Sequence, residues 1–419
     1  MVESLVEALK QREPDGLLWV IGEERLTVGE VLAKVKVWRE AHDSFRGRSV
    51  RVGRMTSAEL AFVLCGLDGW ASELRLEWDG KVVGLEMEMG LEEVGGDREL
   101  PSGETTRWLL PTSGTATGVP TWVTHSFSTL TREVKVSSTK GVEWVWGLVY
   151  DLRRFAGLQV FLQAMLGGGA LAILPERAAD QIGVEQLLCG LRDAGVNALS
   201  ATPTQWRWML AAESMKALPL GLVTLGGEAV DQRLLDELGE RFPLARLTHI
   251  YASTELGVGF SVSDGLSGFS RSFLKGAVPE GRAWRLNEAS ELERWDSDRK
   301  IWQGTGDLVR CEGERCYFRG RKDGQINVGG VNVVPEEVES VALETAGVSM
   351  ALARGRRSVV TGEVVELLIV SALPTGEESL LEKRVVALCE KRLPRHAVPA
   401  VVNVVDALPM AGTGKMRRL

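Results

Sequence analysis

The chain has 419 residues, of which 44% are hydrophobic and 25% charged, the balance of a folded globular protein with room for two or three domains. A formal charge of −8 argues against a nucleic-acid surface, and the basic run Lys415–Arg418 is too short to alter that. Five cysteines without a CxxC pair, and only four histidines, suggest neither a zinc site nor a disulfide framework; the expectation is free thiols in a reducing cytoplasm.

Residues 1–16 carry charges throughout and lack the apolar segment of a signal peptide. Leu17–Val20 and Leu26–Thr27 flank Gly22-Glu23-Glu24 and read as a hairpin. Val28–Ala41 reads as a helix with Val28, Val31, Leu32 and Val35 on one face, and Ser57–Trp70 as a second with Ser57 as its N-cap. Val82–Met89 has a strand pattern; Leu91–Glu99 is acidic and reads as a loop.

The chain is organised around Leu110–His125, where Thr112, Ser113, Thr115 and Thr117 surround Gly114 and Gly118 after an apolar strand end. Small hydroxyls and glycines let a loop turn its N–H and O–H groups toward one point, which is how phosphate oxygens are cradled without a fixed cation. Thereafter helix and strand patterns alternate. Ser126–Val134, Ile182–Ala194, Gln205–Ala212 and Val230–Arg241 read as helices, and Val142–Leu148, Ala198–Ala201, Leu222–Leu225 and Leu247–Tyr251 as strands. Phe155–Pro175 is uncharged over 21 residues, but Gly167–Gly169 interrupt it. It reads as a buried helix to about Leu166 and a strand Ala170–Leu174, not a membrane span. The alternation implies a mostly parallel, helix-covered sheet, with ligands at the carboxyl ends of its strands. Gly226-Gly227-Glu228 and Ser253-Thr254-Glu255 stand there.

Residues 257–319 read as short β-strands. From Gly320 the pattern becomes a compact α+β domain: helices Pro335–Ala346 and Glu378–Arg392, strands Val348–Arg354, Val364–Ala372 and Val398–Val405. The expected class is α/β. A large N-terminal domain (1–319) of mostly parallel, helix-covered sheets with a β subdomain precedes a hinge (320–324) and a small mobile α+β C-terminal domain (325–419).

Five motifs in order resemble the acyl-adenylate-forming superfamily: TSGTATGVPT at 112–121, Tyr251-Ala-Ser-Thr254-Glu255, Thr305-Gly306-Asp307, GRKDGQINVGGVNVVPEEVE at 320–339 and LPMAGTGKMRR at 408–418. The flavour of the run from Trp146 is that of compact bacterial acyl- and aryl-CoA synthetases. This resemblance implies activation of a small carboxylic acid with ATP and Mg²⁺ to an acyl-AMP, then transfer to CoA. Loading of an acyl carrier protein is the alternative, and a non-catalytic acyl- or nucleotide-binding relative a third.

The resemblance also implies roles. Thr112, Ser113, Gly114, Thr115, Thr117 and Gly118 contact phosphate, Thr254 the α-phosphate, and Glu255 holds Mg²⁺. Tyr251 stacks on adenine, Gly227 and Glu228 follow Gly226 in its wall, and Asp307 accepts the ribose hydroxyls beside Arg321. Lys415 meets the charge developing between carboxylate and α-phosphate. Asp323 is the pivot, and Gly329-Gly330 line the thiol channel. Arg154, Phe155, Leu158 and Phe260, with Trp206, are candidate acyl-pocket walls, each equally able to be plain core.

Three departures stand out. Thr121 occupies the usual phosphate-binding Lys position, Arg154 a position often held by His, and Asn332 the usual Arg after the hinge. Arg154 suits an acidic substrate or a pair with Asp151. No nucleic-acid partner, a cytoplasmic location and a monomer or homodimer complete the expectation.

Overall fold

The computed structural model describes residues 2–77, 91–94, 105–112, 121–135, 144–174, 183–274, 283–297, 299–373 and 378–409. The chain forms two compact units, residues 1–227 with 238–263 and residues 228–237 with 264–419. The expected pivot at 320–324 therefore lies inside the second unit.

Among the described residues the first unit holds an eight-stranded sheet. Its order is Gly257–Val262, Arg246–Ser253, Leu222–Gly226, Ala198–Ala201, Val145–Gly147, Ala170–Ile173, Leu17–Ile21 and Glu24–Thr27. Neighbours are parallel except at the two edges, where the last pair forms the predicted N-terminal hairpin. A five-stranded sheet in the order Leu91–Glu93, Ser49–Val52, Glu73–Leu76, Arg107–Pro111, Trp122–His125 completes this unit. One apolar cluster that includes Trp19, Val50, Leu74, Trp108 and Phe161 joins the two sheets. Burial of that surface is the main term holding the unit together.

Helix starts are set by local chemistry. Val28–Ala41 begins at Thr27, whose hydroxyl accepts the Glu30 N–H while the Glu30 carboxylate accepts that of Thr27. The second helix runs Ser57–Leu67, and its cap is Thr56 with Glu59, not Ser57. The helix expected over Gln205–Ala212 runs Pro203–Leu210: Thr202 caps it with Gln205, and proline suits its first turn. The helix Phe155–Leu166 ends where the Arg12 guanidinium donates to the carbonyls of Ala164, Met165 and Gly169. Leu91–Glu93, expected in a loop, is an edge strand antiparallel to Ser49–Val52, with Glu92 on Arg51. The expected strand Val82–Met89 lies outside the described residues.

The second unit carries a five-stranded sheet, Phe269–Ser270, Arg315–Arg321, Ile301–Glu312, Glu291–Asp296, Trp284–Leu286, antiparallel throughout. A further sheet comprises Val331–Val333, Ile326–Val328, Gly362–Ser371 and Val348–Ser358, with Val401–Val404 parallel to Gly362–Ser371. The helices Pro335–Leu343 and Glu378–Arg392 bury Val338, Ala342, Leu381, Val385 and Cys389 against it, as the periodicity predicts. The mixed α/β class is as expected. The thiol expectation is corrected: Cys311 and Cys316 face each other across the Ile301–Glu312/Arg315–Arg321 hairpin and form a disulfide. Cys65, Cys189 and Cys389 are free. Among the described residues, no helix is long and apolar enough to cross a membrane.

Candidate active site

The first unit contributes three segments. The strands Arg107–Pro111 and Trp122–His125 pair antiparallel and carry the loop between them. At its neck, Thr112 and Thr121 hydroxyls hydrogen-bond at 2.8 Å, and the Thr112 N–H donates to the Thr121 carbonyl at 2.8 Å. Thr121, the departure from lysine, spends its hydroxyl closing the loop. Ser113, Gly114, Thr115, Thr117 and Gly118 lie outside the described residues.

The second segment is the turn after Arg246–Ser253. Glu255 is exposed and Thr254 half-buried; the Ser253 hydroxyl accepts the Leu256 N–H at 3.1 Å. The turn returns as Gly257–Val262, which sets Tyr251 opposite Phe260 with ring centroids 5.1 Å apart in a stacked arrangement. The Thr254 carbonyl lies 2.8 Å from Nε2 of His125.

The third is the start of the helix Phe155–Leu166. Phe155 is buried, its ring 5.7 Å from that of His125. Leu158 and Trp206 are wholly buried, the Trp206 indole donating to the Thr224 carbonyl. Asp151 is gripped in bidentate fashion by Arg153, and Arg154 is the residue before the helix. Gly226 ends a strand, Gly227 has φ +83°, and the chain passes from the first unit to the second between Gly227 and Glu228.

In the second unit, register places Asp307 directly opposite Arg321, with Oδ1 3.6 Å from Nη1. Arg321 also forms a bidentate pair with Asp323 at 2.9 and 3.3 Å, which holds the Asp323 carboxyl below its usual range against the opposing effect of burial. Gly306 has φ +78°, and a Cβ there would lie 2.9 Å from the Arg321 guanidinium, so glycine is what lets Arg321 reach across. Glu291 accepts the Gly306 N–H at 3.0 Å and the Lys322 ammonium at 3.2 Å. Gly329 and Gly330, both at positive φ, turn the hairpin Ile326–Val328/Val331–Val333; Asn332 is exposed on it. Lys415 lies outside the described residues.

Among the described residues, no group of three or more His, Cys, Asp or Glu gathers as a metal cage. Glu255, a single exposed carboxylate, fits a Mg²⁺ that takes its remaining ligands from phosphate and water. Asp307, beside Arg321, offers the paired acceptor oxygens that vicinal hydroxyls require.

The fold is that of a mixed α/β protein with a smaller α+β C-terminal part, and the chain belongs to the AMP-binding enzyme family. The AMP-binding enzyme model matches residues 51–285, and the AMP-binding enzyme C-terminal domain model residues 337–415. It is similar to the 2-succinylbenzoate–CoA ligase of Staphylococcus aureus (strain JH9), 24% identical over an alignment of 334 residues that covers 73% of this chain and 64% of that relative. The match thus takes in less than two thirds of the relative's own length. Its fold is similar to o-succinylbenzoate CoA synthetase (MenE) from Bacillus subtilis in complex with the acyl-adenylate intermediate OSB-AMP, with TM-score 0.67, 19% identity, and coverage of 100% of this chain and 97% of that one. ATP-bound MatB from Rhodopseudomonas palustris superposes with TM-score 0.68 at 18% identity, over 98% and 96% of the two chains. At these identities the structural likeness is one of fold.

His125, Glu291 and Lys322, whose hydrogen bonds reach the segments that carry the expected site residues, are not legible from the sequence. His125 closes the Thr/Ser/Gly stretch, but its partner lies 129 residues away.

Proposed function

We propose that the chain is an ATP-dependent carboxylate–CoA ligase. A substrate carboxylate oxygen attacks the α-phosphorus of ATP, pyrophosphate leaves, and the CoA sulfur then attacks the acyl carbon as AMP departs. Both reactants of the first step are anions, so the protein's task is neutralisation and alignment. Glu255 would hold the Mg²⁺, whose charge would offset that of the phosphates; Thr254 and the loop from Thr112 orient the phosphates. Tyr251 stacks on adenine, and Asp307 accepts the ribose hydroxyls while Arg321 limits the local negative charge. Lys415 meets the charge that develops at the α-phosphate. Residues 320–324 are the pivot, centred on Asp323, that brings Gly329-Gly330 to the thiol for the second half-reaction.

The observation that carries this reading is the Asp307–Arg321 pair, held in register with Gly306 bare between them. The names of the similar ligases make an aromatic acid with a second carboxylate the first substrate to try, with Arg154 as its counter-charge and Phe155 and Phe260 as apolar walls. The test is pyrophosphate exchange into ATP across a panel of aryl, dicarboxylic and fatty acids, followed by AMP release with CoA. Exchange with at least one acid and CoA-dependent AMP release are expected. No exchange with any acid, or release supported only by a carrier protein, would overturn the reading.

A further inference from the structure

His125 is 7% exposed and ends the second arm of the hairpin that carries the 112–121 loop. Its Nε2 faces the Thr254 carbonyl at 2.8 Å, its Nδ1 lies 3.4 Å from the Thr129 hydroxyl, and its ring packs 5.7 Å from that of Phe155. A carbonyl oxygen only accepts, so Nε2 carries the hydrogen. Burial favours the neutral ring, outweighing the Thr254 carbonyl and the charge of Glu255.

The Thr254 carbonyl and the Glu255 N–H belong to one rigid peptide plane. A donor that fixes the carbonyl fixes the rotation of that plane, and with it the position of the Glu255 Cα, which narrows where the side chain can leave the backbone. The turn is closed at its base by the Ser253/Gly257 strand pair and by the Ser253 hydroxyl on the Leu256 N–H, while Glu255 itself is exposed.

We propose that His125 is a positioning residue whose Nε2–H locks the Thr254–Glu255 peptide to the phosphate-loop hairpin and to the Phe155 wall, so that one side chain sets the metal carboxylate relative to phosphate and acyl group. This rests on the ligase reading. It assigns His125 no contact with the reacting atoms.

Three substitutions separate the hydrogen bond from packing. Glutamine places an amide N–H near the Nε2 position; asparagine is one methylene too short; phenylalanine keeps the ring volume without the donor. Wild type is first assayed for pyrophosphate exchange: if it exchanges with no acid, the ligase reading fails and this proposal with it. Given an active wild type, His125→Gln should stay within about threefold in exchange kcat, its hydrogen bond being retained. His125→Phe and His125→Asn should lose about 10²-fold, the cost of misplacing a catalytic group by about an ångström. The acid KM should hold while the Mg²⁺ concentration for half-maximal exchange rises. Calorimetry without acid should show Mg·ATP binding weakened in His125→Phe and His125→Asn but not in His125→Gln. Melting temperatures identify any variant that does not fold; if His125→Phe is one, the Gln/Asn pair decides. A folded His125→Phe, or His125→Asn, with wild-type kcat and Mg²⁺ dependence would overturn the proposal. So would a His125→Gln as impaired as His125→Asn.

Discussion

Glu291 and Lys322, 31 residues apart, join two parts of the second unit through one carboxylate: Oε2 receives the Lys322 ammonium at 3.2 Å, and Oε1 receives the Gly306 N–H at 3.0 Å. Glu291 is nearly buried, and a Cβ on Gly304 would lie 2.5 Å from Oε1, so the carboxylate is held against bare backbone. It thereby fixes the Thr305–Gly306 peptide, one residue before Asp307, and, at its other oxygen, the residue preceding Asp323. Burial works to raise its pKa, but the Gly306 N–H, Lys322 and Asn287 outweigh burial and hold it below the usual value.

Removing that charge leaves the Gly306 N–H with a weaker acceptor and Lys322 without its counter-ion. Glu291→Gln should raise the ATP KM about tenfold, as expected for losing charge-assisted hydrogen bonds worth about 1.5 kcal/mol. Because the folded-state pKa is depressed, the Glu291 contribution to stability is present above the unfolded value and is lost as pH falls through the folded one. The thermal stability of wild type and variant should therefore converge in acid. An ATP KM unchanged by the substitution would show that the Gly306 peptide needs no anchor.

Asp307 faces Arg321 in register, the arrangement read here as ribose recognition. Asp307→Asn replaces one acceptor oxygen by a donor, so one ribose hydroxyl loses its partner. The expected result is a fall of about 10²-fold in kcat/KM for ATP. A selective readout is 3′-deoxy-ATP: wild type should discriminate against it, and Asp307→Asn should discriminate far less. Equal discrimination by both proteins would place the ribose elsewhere.

The parts of this molecule that could be read in advance are local. Val28–Ala41 and Glu378–Arg392 carry their boundaries in apolar spacing and end signals, and they form as read. Thr56 was missed in favour of Ser57 although Glu59, three residues after Thr56, completes a capping box only with it. Leu91–Glu93 is acidic and reads as loop; it pairs with Ser49–Val52, some forty residues earlier, where Arg51 and the preceding Arg48 meet Glu92 and Glu93. Cys311 and Cys316 lack any spacing signature, and only hairpin register brings them together. The motif residues were visible because chemistry restricts their type. His125 and Glu291, which hydrogen-bond to the Thr254 carbonyl and the Gly306 N–H, are not visible, because their partners are chosen by the fold.

Lys415 is assigned to the first half-reaction alone. Lys415→Ala should lower acyl-adenylate formation by roughly 10²- to 10³-fold, the usual cost of deleting one charge-stabilising donor. Supplied with preformed acyl-AMP and CoA, the same variant should make thioester at close to the wild-type rate. Rapid-quench measurement of each half-reaction distinguishes these outcomes. Full-rate adenylation would refute the assignment.

Asp68 supplies a test of the scaffold that is independent of chemistry at the site. It is wholly buried; its carboxylate receives the Leu5 N–H at 2.7 Å and the Trp108 indole N–H at 3.1 Å, tying the short helix Leu5–Leu9 to the strand Arg107–Pro111. Burial pushes its pKa up to about 7, against those two donors and the nearby Arg39. A raised folded-state value means that the native protein keeps a proton the unfolded chain has already released. Stability from this group is therefore fully present below the unfolded carboxyl range and drains away as pH rises through about 7, at roughly 1 kcal/mol per pH unit. Asp68→Asn cannot ionise, and its amide must set one N–H donor against another, a fixed cost independent of pH. The variant should start less stable than wild type near pH 4.5 and recover relative to it by pH 7.5, as followed by denaturant unfolding across that range. Parallel pH profiles for the two proteins would show that Asp68 is ionised in the folded state at every pH tested.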